Sequence, residues 1–141
     1  MNPRLILAMR IALAAIWLYN GLWMKVIALD AHHLQIVSSV TNGHSDAAVL
    51  LRSIGGCETL LAIGILSGLF HRFVNYFQIA VIVLMNLIGI AFGGGAIEHP
   101  VGLLLSNVPT VLCALTVALY GPGACTLRLP DSGSGKDRGD V

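Results

Sequence analysis

Charge is what this chain has least of. Only 11% of its 141 residues are charged, with eight Lys and Arg against seven Asp and Glu. A soluble domain ordinarily carries about 25%, so there is too little charge here to cover a water-facing surface. The net charge is +1 and no basic stripe with interleaved aromatics occurs, which argues against nucleic acid as a partner. Cysteine is scarce too. Cys57 and Cys113 lie within apolar runs, Cys125 follows the last one, and no C-x-x-C spacing appears. A disulfide framework, a zinc motif and thioredoxin-type chemistry all lack support. The three thiols read as packing or idle side chains.

What the chain does have is apolar length. It is 56% hydrophobic with a mean hydropathy of +0.82. Four runs each reach the roughly 20 residues that a membrane crossing needs. The expected fold is all-α: an integral membrane four-helix bundle, up-down-up-down, over residues 1–122. The spans are expected at about 3–28, 46–69, 73–92 and 101–120. Residues 123–141 read as a flexible tail, because they lack apolar periodicity. The N-terminal run resembles a signal peptide at first sight. It lacks a small-x-small cleavage site, and its apolar character continues through Trp17, Tyr19 and Trp23, so a retained first helix is the better reading.

Local signals punctuate these spans. Pro3 suits a first helical turn. Ser45 or Asp46 can cap the second span. His71 and Arg72 form a turn that permits only an antiparallel return. Gly93, Gly94 and Gly95 stop the third helix. Pro109 should kink the fourth or free a carbonyl near Leu105. Between the first two spans lies a polar connector with Asp30, His32, His33, Asn42, Gly43 and His44. Its middle, LQIVSSV, reads as a short interfacial helix.

Arg4, Arg10, Arg72, Arg128, Lys136 and Arg138, six in all, fall on one side of the membrane, and Lys25 and Arg52 fall towards the other. The positive-inside rule then puts both termini in the cytoplasm. The histidine-bearing connector and the Glu98–His99 loop face outward.

Helical periodicity assigns faces. Arg10, Trp17, Gly21 and Lys25 share a side of the first span, with Asn20 nearby. Leu51, Gly55, Glu58, Ala62 and Ile65 share one on the second. Asn75, Ile79, Ile82, Asn86, Gly89 and Gly93 align on the third. Asn107, Thr110, Ala114 and Ala118 align on the fourth. The uncharged stretch from Ile11 to Met24 rises only about 21 Å, short of the ~30 Å hydrocarbon core. Arg10 and Lys25 must therefore snorkel to opposite interfaces or enter the membrane. By depth, Lys25, Glu58, Asn86 and Asn107 can meet in the outer half of the bundle, with Asn20 a little deeper. His99 lies at the outer end.

Each candidate carries two readings. Glu58 and Lys25 are either a quinone- or proton-handling pair or a structural ion pair that fixes helix register. The first is chemically sound because burial and a neighbouring ammonium act on a carboxylate in opposite directions, so it can exchange protons near neutral pH. Asn86 and Asn107 either orient a quinone carbonyl or hydrogen-bond between helices. Arg10 either receives an anionic headgroup or snorkels to the cytoplasmic interface, and snorkelling is the commoner behaviour. His32, His33, His44 and His99 share the outer side. Adjacent His32 and His33 are awkward co-ligands and no thiolate cluster supports them, so no metal site is expected. No histidine lies mid-span for a haem.

The segments RIALAAIWLYNGLWMK, GGCETLLAIGIL and HPVGLLLSNVPTV resemble the DoxX-like family, and in particular its small, stand-alone, four-helix bacterial members. The resemblance covers about residues 4–120. Its matching polar positions are Arg10, Lys25, Glu58, His99 and Asn107. It implies a multi-pass integral membrane protein of the bacterial inner membrane. Some members are subunits of thiosulfate:quinone oxidoreductase, and others are linked to redox homeostasis or fused to short-chain dehydrogenase domains.

Two function classes follow. The first is a redox-associated subunit that binds quinone or another small apolar ligand. Its pocket would lie near Glu58 and Asn107 and open laterally to lipid. It would work with a soluble redox partner, since no intrinsic haem, flavin or iron–sulfur motif occurs. The second is a non-enzymatic small transporter or membrane assembly scaffold, with a homo-oligomeric face on Gly64 and Gly68 or on Gly89 and Gly93.

Overall fold

The computed structural model describes residues 1–43, 46–92 and 97–127. Its described residues form helices and no strands. Helix α1 (Pro3–Leu18) continues directly into a π-helical segment, Tyr19–Ile27. Helix α2 (Ala31–Thr41) is short. Helices α3 (Ala47–Ser67), α4 (His71–Phe92) and α5 (Pro100–Tyr120) follow. Four helical stretches are long and apolar enough to cross a membrane, at 25, 21, 22 and 21 residues. Their outward faces carry large apolar side chains such as Leu60, Phe73, Leu87 and Leu105. An apolar exterior of this extent needs lipid around it.

The helix ends follow from local chemistry. Asn2 caps α1 through its side-chain oxygen, which accepts from the Arg4 N–H, and Pro3 occupies the first turn. Asp46 caps α3 by accepting from the N–H groups of Ala48 and Val49. Asp30 caps α2 by accepting from the His33 N–H at 3.2 Å, and Asn42 ends α2 in the left-handed region. The α3–α4 reversal falls at Gly68–Phe70, slightly before the expected His71–Arg72 turn, and α4 begins at His71. Gly68 adopts φ +69 there, a conformation that costs glycine little. Gly68 therefore stops α3 and packs on Arg10. Within the chain, a Cβ on Gly64 would meet only an ordinary contact from Val74. Gly93, Gly94, Gly95, His44 and Ser45 lie outside the described residues. Helix α5 runs through Pro109, which supplies no N–H to the Leu105 carbonyl.

The four long helices close into a ring in which α1 meets α3 and α5, and α4 meets α5 and α3. The α3–α4 seam is the most sparsely packed, and α2 lies across it at the end away from the termini. The core is apolar, built on Ile6, Leu13, Ala14, Trp17, Ala62, Ile65, Ile82, Ala114 and Val117. One buried polar chain crosses it. Trp17 Nε1 donates to Gln78 Oε1 at 2.8 Å, Gln78 Nε2 donates to Asn75 Oδ1 at 2.6 Å, and Asn75 Nδ2 donates to the His71 carbonyl at 2.6 Å. It ties α1 to α4 with these polar side chains paired.

Two expectations change at the end that carries the termini. Arg10 does not snorkel. It is 1% exposed, and its Nε donates to the Ile65 carbonyl at 3.0 Å. Its Nη1 donates to the Pro122, Ala124 and Cys125 carbonyls at 2.6, 3.2 and 3.5 Å, and its Nη2 donates to that of Leu66. Two of these acceptors, Ile65 and Leu66, lie in the last turn of α3, where the helix dipole is negative, and the other three lie in the segment that follows α5. The second change concerns the tail. Residues 123–127 dock on the bundle: Ala124 N–H donates to the Pro3 carbonyl at 3.2 Å and Leu127 N–H to the Ser67 carbonyl at 3.0 Å. Residues 128–141 lie outside the described residues.

Candidate functional site: a buried ion pair beside a polar cavity

The site begins with a close helix crossing. Gly21 in the π segment meets Gly55 of α3 so closely that a Cβ on Gly55 would lie 2.6 Å from the Gly21 carbonyl oxygen. Only glycine permits this approach. One turn further along each helix stand Lys25 and Glu58. Lys25 Nζ and Glu58 Oε1 form a salt bridge, and the two residues are 3% and 4% exposed. The π segment makes this alignment easier. At 100° per residue, Lys25 would drift about 80° from Trp17 over eight positions. A wider π turn advances less per residue, and Trp17, Gly21 and Lys25 are all buried.

Beside the pair lies a cavity of about 190 Å³, bordered by Trp17, Asn20, Lys25, Glu58, Asn86 and Asn107 among others. Asn107 Nδ2 donates to Asn86 Oδ1 at 3.2 Å and to its own helix at the Leu103 carbonyl at 3.1 Å. Asn20 Nδ2 donates to the Ile16 carbonyl at 2.9 Å. One acceptor is left over: Glu58 Oε2 is buried with no hydrogen-bond partner.

Asn86, Asn107 and Ile82 also border a second space of about 210 Å³ between α4 and α5. Its other walls are apolar and include the outward-facing Val83, Leu87, Leu104 and Val108. The asparagine pair thus separates a polar interior from a lipid-facing groove. A wider apolar groove of about 330 Å³ runs along the loose α3–α4 seam and reaches Glu58 from the other side.

The structure therefore brings together Lys25, Glu58, Asn86, Asn107 and Asn20. His99 stands apart. It is exposed and borders an open vestibule of about 600 Å³ with His32, His33, Gln35 and Glu98. Arg10 borders neither cavity and sits at the end of the bundle that carries the termini. Two residues were missing from the sequence reading. Gln78 falls between the aligned positions Asn75 and Ile79, and only its bond to Trp17 shows that it faces inward. His33 was weighed only as a metal ligand, yet it borders both the vestibule and the cavity. The spacing Asp30-x-x-His33 at a helix start was the available signal. His33 donates its backbone N–H to Asp30 Oδ2, and its ring Nδ1 lies 2.8 Å from the same oxygen. The imidazole first, and then the backbone N–H, hold the Asp30 carboxyl below the usual carboxylate range. Among the described residues, no group of three or more His, Cys, Asp or Glu is placed to hold a metal ion.

A multi-pass helical bundle with a charge pair held inside it is the class of protein that this geometry defines. The chain matches the DoxX-like family over residues 14–115 and belongs to that family. Comparison with curated proteins and with solved structures gave no significant match.

Proposed function

We propose that this DoxX-like protein binds the ring headgroup of a quinone or quinol in the cavity beside Lys25 and Glu58, as a redox-associated membrane subunit. The observation that carries this reading is the unpartnered Glu58 Oε2. A buried acceptor without a donor is costly, and a quinol hydroxyl supplies one. Lys25 and Asn86 border the same space with N–H groups for a carbonyl oxygen, whereas both N–H groups of Asn107 are taken by Asn86 and by the Leu103 carbonyl. At about 190 Å³ the cavity is below the ~300–1,000 Å³ of drug-sized pockets. It suits a single ring, with an apolar chain leaving past Asn86 and Asn107 into the α4–α5 groove.

Quinone should co-purify with the protein in mild detergent and be detected by mass spectrometry. The double variant Lys25→Met/Glu58→Leu, which replaces both charges with apolar bulk, should lower occupancy at least about tenfold, since hydrogen bonds to charged groups are worth ~1.5–3 kcal/mol each. Equal occupancy in a folded double variant, or no bound quinone in the wild type, would defeat the reading.

We place the protein in the bacterial inner membrane, on the resemblance to the family's small bacterial members, with both termini cytoplasmic on the Lys and Arg asymmetry. Cys125 is exposed at the end that carries the termini, and Ser38 is exposed on α2. With Cys57 replaced by Ser, an impermeant thiol reagent applied to intact cells should label Ser38→Cys and spare Cys125. The opposite pattern would invert the orientation.

A further inference from the structure

His33 and Leu103 are shared by the vestibule and the inner cavity. Of these two only His33 can carry a proton. Its surroundings suit that task. The ring Nδ1 is 2.8 Å from Asp30 Oδ2, so the neutral imidazole keeps its hydrogen on Nδ1 and presents the Nε2 lone pair. Nε2 has no hydrogen bond to protein among the described residues. The side chain is half-buried, with 27% of its surface exposed. It therefore meets water on one side and the cavity on the other. Glu58 borders that cavity, and its Oε2 is a buried oxygen with no partner. The cavity has room for several waters at about 30 Å³ each.

We propose that His33, held by Asp30, passes protons between the water at the α2 end and the buried Lys25–Glu58 pair. In the inward direction, Nε2 takes a proton from vestibule water and becomes an imidazolium beside the Asp30 carboxylate. It then releases that proton through cavity water to Glu58 Oε2, which becomes a neutral carboxylic acid. Only N–H and O–H bonds form and break, and no oxidant or reductant takes part. The pair's net charge rises from zero to +1, and the reverse sequence restores it. Among the described residues, the charged and titratable groups facing His33 are Asp30 and His32 beside it, Lys25 and Glu58 across the cavity, and Glu98 and His99 across the vestibule. Lys25, an ammonium paired with Glu58, has no lone pair to take the proton, which leaves the Glu58 carboxylate as the acceptor. The route depends on the cavity and the ion pair, and stands whether or not quinone binds.

The test is a pH jump between about pH 5 and 8 on ligand-free protein in nanodiscs, followed by time-resolved infrared spectroscopy. The carboxyl band of Glu58 is identified by its loss in Glu58→Gln. His33→Ala should slow its rise at least about tenfold, a threshold below the roughly 10²–10⁴-fold that a positioned acid–base group typically contributes. Imidazole added to the buffer should restore the rate. Asp30→Asn retains a good helix cap but not the counter-charge, so it should slow the rise by less and remain folded even if His33→Ala does not. An unchanged rate in both variants would overturn the proposal. So would slowing that imidazole does not relieve in a folded His33→Ala protein, or a Glu58 that takes up no proton anywhere in that range.

Discussion

Glu58→Ala should cost the bundle about 3–5 kcal/mol, the loss typical when one partner of a buried ion pair is removed. The pair lies out of reach of bulk water and of lipid, since both side chains are at least 95% buried. An unpaired charge has one escape, which is to neutralise. At pH 7, losing a proton costs an ammonium in water about 5 kcal/mol, and gaining one costs a carboxylate about 4. These figures cap the two penalties. Lys25→Ala, which leaves a carboxylate behind, should therefore be the milder single change. Glu58→Gln, which keeps shape and an acceptor oxygen, should be milder than Glu58→Ala. The double variant Lys25→Met/Glu58→Leu should recover most of the stability, because replacing a buried pair with apolar bulk is commonly neutral or better. Reversible unfolding in bicelles measures all of these. A Glu58→Ala protein as stable as wild type would mean that the pair contributes nothing to the fold. A double variant no better than either single would mean that shape at the Gly21–Gly55 crossing, and not charge, is what the site requires.

Arg10→Ala should be comparably severe, for a different reason. Arg10 has no carboxylate partner among the described residues. Its charge is balanced by backbone carbonyls of Ile65, Leu66, Pro122, Ala124 and Cys125. Hydrogen bonds to charged groups are worth ~1.5–3 kcal/mol each and are not additive, so a total loss of about 3–4 kcal/mol is expected. Arg10→Lys should rescue little, because a single ammonium cannot span acceptors held by a planar fork. The segment after α5 should lose its docking in either variant, seen as faster proteolysis between Pro122 and Leu127. Truncation before Pro122 should destabilise the protein, whereas removal of residues 130–141 should leave stability unchanged. Combining Arg10→Ala with the longer truncation should cost less than the sum, since both remove the same contacts. Strict additivity would show that Arg10 acts on α3 alone.

The sequence by itself determined the membrane class, the four spans and the inward faces. Hydropathy over ~20 residues and the 3.6-residue period are local properties, and lipid leaves few ways to satisfy them. It also brought Lys25, Glu58, Asn86 and Asn107 to one depth, because a charge or amide in an apolar run has a height that can be counted along the helix. Family membership was legible in three short segments for the same reason. Only the tertiary structure decided the rest. The π segment departs from the period on which the face assignment depends, and nothing in YNGLWMKVI announces it. Arg10 was misread because its partners are backbone carbonyls far away in the chain, and a carbonyl has no residue-specific signature. Residues 123–127 read as part of a flexible tail because the chain from 123 on lacks apolar periodicity. They are held instead by hydrogen bonds to Arg10, Pro3 and Ser67. His33 became a junction between two cavities only through the placement of α2 over the bundle, a long-range packing arrangement that no local pattern encodes.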